Sequence, residues 1–107
     1  MAFVAGSLAS GQVANAVAAI YTASTRVVVR SLNFYNTNAA GQTINVYITR
    51  SGQTRRQLYR SSSIAQYARL AFLSGGEVLI LSGGDTIDAD TTTASAVDYY
   101  IGGATDA

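Results

Sequence analysis

The sequence predicts an all-β chain, an antiparallel β-sandwich of jelly-roll kind with about seven or eight short strands. Three observations carry this. Short runs rich in branched and aromatic residues are separated by turn-forming residues roughly every 8–12 positions. Thr43–Arg50 (TINVYITR) alternates cleanly, with Ile44, Val46 and Ile48 on one side and Asn45, Tyr47 and Thr49 on the other. Finally, Leu-Ser-Gly-Gly occurs at Leu73–Gly76 and again at Leu81–Gly84, bracketing the apolar run Glu77–Leu81 (EVLIL). That run is too short for a helix, and Gly-Gly pairs permit the positive φ that tight turns need, so the stretch reads as turn, strand, turn, strand.

In chain order, residues 1–12 are small and apolar with interspersed Gly and Ser, and read either as an N-terminal arm that orders on docking or as a first strand. Val17–Ala23 reads as a strand. Thr25–Asn36 (TRVVVRSLNFYN) is the strongest strand, with three consecutive valines followed by aromatics. Its parity breaks: Val27 and Val29 share one face, whereas Leu32 and Phe34 share the other. A β-bulge near Arg30–Ser31 reconciles the two halves. Asn36–Gln42 is a turn. Thr43–Arg50 and Thr54–Arg60 form a hairpin about Ser51-Gly52-Gln53, and burial of Ile44, Val46 and Ile48 contributes roughly 1.5–3 kcal/mol each.

Ile64, Tyr67, Ala68, Ala71 and Phe72 have helical spacing, and Ser63 with Gln66 resembles a capping box. This predicts one short helix around residues 63–70. In the repeat stretch, Val78, Ile80 and Ile87 are core candidates. Ala94–Ile101 supplies the last strand, and residues 102–107 read as a short polar tail.

The 107 residues are enough for one domain, residues 1–107, with a real core. Charged residues are scarce, at 12%, against about 25% in ordinary domains. A polar but weakly charged surface suits protein–protein contact, because hydroxyls and amides are easier to desolvate than ions. There is no Cys, His, Pro or Lys. Thiolate chemistry, disulfides and the commonest general base and metal ligand are therefore excluded. No stretch is apolar for long enough to span a membrane as a helix, and the N-terminal region lacks the basic start of a signal peptide. Synthesis and assembly in a cytoplasm is the expectation, with no cofactor and no membrane.

The net charge of +1 hides a segregation. All seven Arg lie between Arg26 and Arg69, and all six acidic residues between Glu77 and Asp106. The two halves either pair within the fold or present opposite faces to neighbouring copies.

Candidate chemistry is sparse. Asp85, Asp88 and Asp90 offer oxygens to a hard cation, but match no EF-hand spacing, and a solvated strand end is the plainer reading. Glu77 with any Asp would make a glycosidase pair, yet nothing in the spacing selects one. The hairpin carrying Arg50, Arg55, Arg56 and Arg60, with Tyr47 and Tyr59, suits a nucleic-acid backbone or a protein interface; the small net charge favours protein. Tyr35, Tyr47, Tyr59 and Tyr100 could line a sugar-stacking face, or serve only as cross-strand packing partners.

Val17–Ala23 (VAAIYTA), Thr25–Thr37 (TRVVVRSLNFYNT), Gln42–Ile48 (QTINVYI), Glu77–Leu81 (EVLIL) and Gly84–Gly103 (GDTIDADTTTASAVDYYIGG) occur in an order and spacing that resemble small β-sandwich structural proteins of tailed bacteriophage virions. The resemblance rests on strand and turn patterns. It departs where Ser24 replaces a proline of the pattern and over Ser61–Phe72. It implies a virion component, most directly a head decoration (cement) protein working as a homo-oligomer, commonly a trimer, on the major capsid protein or other virion proteins. A tail, fibre or neck module and a carbohydrate-binding module for a host surface stay open beside it. On this reading Arg50, Arg55, Arg56 and Arg60, with Tyr47 and Tyr59, form one side of the contacts, and Asp88, Asp90 and Asp98 the other. Charge reversal at Asp88 and Asp90 is then expected to weaken assembly and spare the fold.

Overall fold

The structure, a computed structural model, describes residues 3–73 and 78–106. Among them are nine strands: β1 (Phe3–Gln12), β2 (Ala18–Thr22), β3 (Val27–Asn36), β4 (Gln42–Thr49), β5 (Arg56–Ile64), β6 (Arg69–Phe72), β7 (Leu79–Leu81), β8 (Thr86–Thr91) and β9 (Val97–Asp106). They form two antiparallel sheets. The first has the order β1-β9-β3-β6, with β7 also pairing β3; the second has the order β2-β8-β4-β5.

The pairing is nested. Apart from the three-residue β7, β1 pairs with β9, β2 with β8, β3 with β6 and β4 with β5. That is a long antiparallel hairpin rolled into two facing sheets, which is the jelly roll. The nesting also explains the segregated charge. β4, which leads into Arg50, lies beside β8 with its Asp88 and Asp90, and β3, with Arg30, lies beside β9 with its Asp98 and Asp106, so the basic and acidic halves of the chain meet across paired strands.

The core follows the period-two pattern. β4 alternates without a break, burying Ile44, Val46 and Ile48. In β3 the register against β9 shifts between Val29 and Ser31, so a bulge at Arg30 lets Val27, Val29, Leu32 and Phe34 all face inward. Leu81, Ile87, Val97 and Ile101 complete the centre, and Phe72 meets Phe34 edge-on at 5.6 Å between ring centroids.

Several expectations are corrected. Of the two readings of the N-terminal stretch, the first strand holds and the arm does not over residues 3–12: β1 runs along β9 for most of its length. Residues 102–106 are not a tail, because β9 continues to Asp106 between β1 and β3. Gly103 makes that possible, since a Cβ there would collide with the Val28 carbonyl. Low strand propensity is overridden by the need for close backbone approach. Val78 and Ile80 are exposed, at 43% and 52%, because Leu79 and Leu81 take the inward positions of β7; Ile87 is buried as expected. Gly84, at φ 93°, makes the turn into β8. The first repeat's Gly75 and Gly76, and Glu77, lie outside the described residues.

No helix forms around residues 63–70. β5 runs through Ile64, a tight turn follows with Ala68 N–H donating to the Ala65 carbonyl, and β6 begins at Arg69. Asn36 explains the outcome. Its side-chain amide lies 3.2 and 3.1 Å from the Ile64 and Ala65 carbonyls and 2.9 Å from that of Ala40. Its Oδ1 accepts from Asn38 N–H, and its own N–H donates to the Ala68 carbonyl. The carbonyls a helix would have used are held by a buried side chain from β3 instead. Asn36→Ala should therefore lower the unfolding free energy by about 2–3 kcal/mol, since it strands buried acceptors. Asn38→Ala, at a more exposed turn, should change it by less than about 0.5 kcal/mol. Urea denaturation of the two variants checks the contrast.

Candidate interaction surfaces

At one end of the sandwich three loops converge on Asp85. It is 3% exposed. Its Oδ2 accepts from Arg50 Nη1 at 2.8 Å and Ser82 N–H at 2.9 Å, and its Oδ1 from Ser51 N–H at 2.8 Å. Arg50 Nη1 also donates to the Ile80 carbonyl, and Ala23 exchanges backbone bonds with Gly84 and Asp85. The carboxylate thus fastens the β2–β3, β4–β5 and β7–β8 connections together. The Ser82 N–H, then Arg50 and the Ser51 N–H, lower its pKa from an ordinary 3.8 to about 2.

Asp88 lies on the outer face of the second sheet, yet it is also 3% exposed. Thr49 Oγ1 donates to its Oδ2 at 2.7 Å and Thr86 Oγ1 to its Oδ1 at 3.0 Å. Arg55 Nε reaches Oδ2 at 3.3 Å, and its guanidinium lies 5.8 Å from the centre of the Tyr47 ring. Arg55 so covers Asp88 and Tyr47 together. Of the two fates open to the segregated charges, pairing within the fold is the one Arg50–Asp85 and Arg55–Asp88 adopt; among the described residues these are the ion pairs. The three aspartates do not act as a set. Asp85 and Asp88 belong to different networks, and Asp90, opposite Asn45 on the same outer face, has a buried Oδ1 with no partner among the described residues.

The remaining candidates separate. Tyr59 faces inward and stacks on Phe72, with ring centroids 3.8 Å apart, so it belongs to packing and not to an open surface. Arg56 and Arg60 are exposed on β5, the edge of the second sheet. This edge is irregular: its register against β4 shifts twice, and Ser61 has φ 49° with its N–H held by Asn45 Oδ1. Arg69 is exposed on neighbouring β6, and Tyr67, 69% exposed at φ 54°, lies in the turn between them. Sequence periodicity hid Tyr67 and Arg69 inside an expected helix.

Asp98 sits elsewhere, on the outer face of the first sheet. Cross-strand partners share a face. One row therefore reads Gln12, Asp98, Tyr35, Arg69, and the next reads Ser10, Tyr100, Asn33, Ala71. Tyr35 and Tyr100 are 42% and 46% exposed. Among the described residues none of these side chains makes a hydrogen bond or ion pair. The opposite edge of this sheet, β1, is ten residues long without a charge or proline, and its far side pairs with no described strand.

The chain matches no family model, no curated protein and no solved structure.

Two outcomes follow. Stability should be flat above pH 4 and fall as the pH drops from about 4 towards 2. Asp85 has a depressed folded pKa, so its contribution is present above the unfolded value and lost through the folded one. Thermal melts across that range should show the drop, and Asp85→Asn should be less stable near neutrality with the drop reduced. The expectation that charge reversal at Asp88 spares the fold is revised. Asp88→Lys places a cation against Arg55 with both threonine donors unpaired, and should cost about 3 kcal/mol or more. A circular-dichroism melt indistinguishable from the parent would refute this.

Proposed function

We propose that this chain is a non-catalytic structural protein of a tailed-bacteriophage virion, a head decoration protein that binds copies of itself and the shell by protein–protein contacts. The residues that carry the resemblance supply most of β2, β3, β4, β7, β8 and β9, so it extends over the scaffold of the sandwich.

The observation that carries an assembly role is the inequality of the two sides. Natural sheets protect their edges with charge, bulges and short strands. The β5/β6 side has all three, with Arg56, Arg60 and Arg69, the shifts in β5 and a four-residue β6. β1 is long and uncharged, and a bulge between Ser7 and Ala9 is its one interruption. Such a strand is a template for another chain. The copy-to-copy joint is assigned to β1, and contact with an acidic patch of the shell to Arg56, Arg60 and Arg69. A symmetric β1–β1 joint closes as a dimer, whereas a trimer needs β1 against a different surface of the next copy.

Light scattering after size exclusion should give a multiple of 11.1 kDa, with β1 amides protected from hydrogen exchange only at concentrations where the oligomer persists. A monomer at every concentration with unprotected β1 amides overturns the joint. Copy number in purified particles tests the location. Shell-like multiplicity fits decoration, and a dozen or fewer copies would place the chain in a tail, fibre or neck module.

A further inference from the structure

Among the described residues, the outer face of the first sheet differs from that of the second. On the second sheet's outer face, Asn45, Thr49, Thr86 and Asp88 are engaged with other groups of the same chain. Here two half-exposed rings, Tyr35 and Tyr100, stand diagonally on adjacent strands, about 7–8 Å apart by strand geometry. Asn33 sits directly opposite Tyr100 and Asp98 directly opposite Tyr35. Gln12 and Arg69 extend the second row on either side. Rings and hydrogen-bonding groups therefore alternate like squares on a board, and none of the polar side chains has a partner among the described residues.

We infer that this checkerboard is a binding site for a neutral glycan chain. A sugar ring has an apolar C–H face that stacks on an aromatic ring, and a rim of hydroxyls that donate and accept together. The site supplies both: flat aromatic platforms, a carboxylate and amide oxygens as acceptors, and amide and guanidinium N–H groups as donors. Other occupants fit less well. A protein partner would meet Asp98 on the central strand β9, where interface centres are depleted of charge. A nucleic acid would set its phosphates against Asp98. Consecutive sugars would run across the strands, one over Tyr100 and a neighbour over Tyr35, their hydroxyls reaching Asn33 and Asp98. The joint assigned to β1's free edge, and Arg56 and Arg60 on β5, lie outside the checkerboard; Arg69 is the one residue that both readings use.

The test uses the full chain and lipid-free neutral polysaccharides: a glucan, a mannan, a galactan and a bacterial O-polysaccharide. Affinity electrophoresis reports binding, and tyrosine emission, unobscured because the chain has no Trp, reports the rings. At least one polymer should retard the protein, with little dependence on salt. Tyr35→Ala and Tyr100→Ala should each weaken binding about tenfold, the equivalent of losing one stacking contact, with unchanged melting profiles. Tyr100→Phe should retain most of the binding, and Asp98→Asn should weaken it severalfold. Retardation by none of the polymers, or binding indifferent to both tyrosine variants, overturns the inference. So does a change in oligomer mass in those variants, which would make the face a protein interface.

Discussion

A buried carboxylate at the end of a β-sandwich depends on donors arriving from several directions. Asp85 receives two backbone N–H groups and one guanidinium from two separate loops, while its own backbone is tied to a third. Each loop changes the chain's course: two cross between the sheets, and the third turns β4 into β5. Fastening them at one carboxylate fixes how β4 and β8 meet, and therefore the register that delivers Thr49 and Arg55 to Asp88. The exposed arginine adds little by attraction alone. Its contribution is geometric, since the same nitrogen holds the Ile80 carbonyl and draws β7 into the cluster.

Internal use of these charges divides the surface. With Asp85 and Asp88 neutralised within the fold, most polar groups of the second sheet's outer face are engaged, Asp90 Oδ1 excepted, and the larger open surfaces lie elsewhere. The β5/β6 side keeps its arginines, β1 keeps an unprotected edge, and the first sheet's outer face keeps a set of polar groups and rings with no partners among the described residues. An assembly protein and a glycan reader ask for different surfaces. A jelly roll has room for both on one small scaffold because it has two outer faces and two sides.

Much of the fold was legible locally. The parity break between Val29 and Leu32 located the bulge, and the unbroken alternation of β4 named its buried face. The expected helix failed for a reason no window of sequence contains: Asn36, some thirty residues upstream, holds the Ile64 and Ala65 carbonyls. The C-terminal glycines looked like a tail because their value appears only where Val28 approaches Gly103. Among the tyrosines, composition could nominate Tyr35, Tyr47, Tyr59 and Tyr100 but not sort them. Packing sent Tyr59 onto Phe72 and Tyr47 beneath Arg55, and left Tyr35 and Tyr100 in the open.

The sequence by itself determined the all-β class, the inward side of most strands and the lack of thiol and imidazole chemistry, because these rest on residue types and on a two-residue period that is purely local. It also carried the segregation of basic and acidic halves, while leaving open whether they would meet inside one chain or between two. Only the tertiary structure decided that Arg50 finds Asp85, that Arg55 covers Asp88 and that Asp98 stands apart beside Tyr35. Those pairings depend on nested strand register, which is set by contacts between residues far apart in the chain.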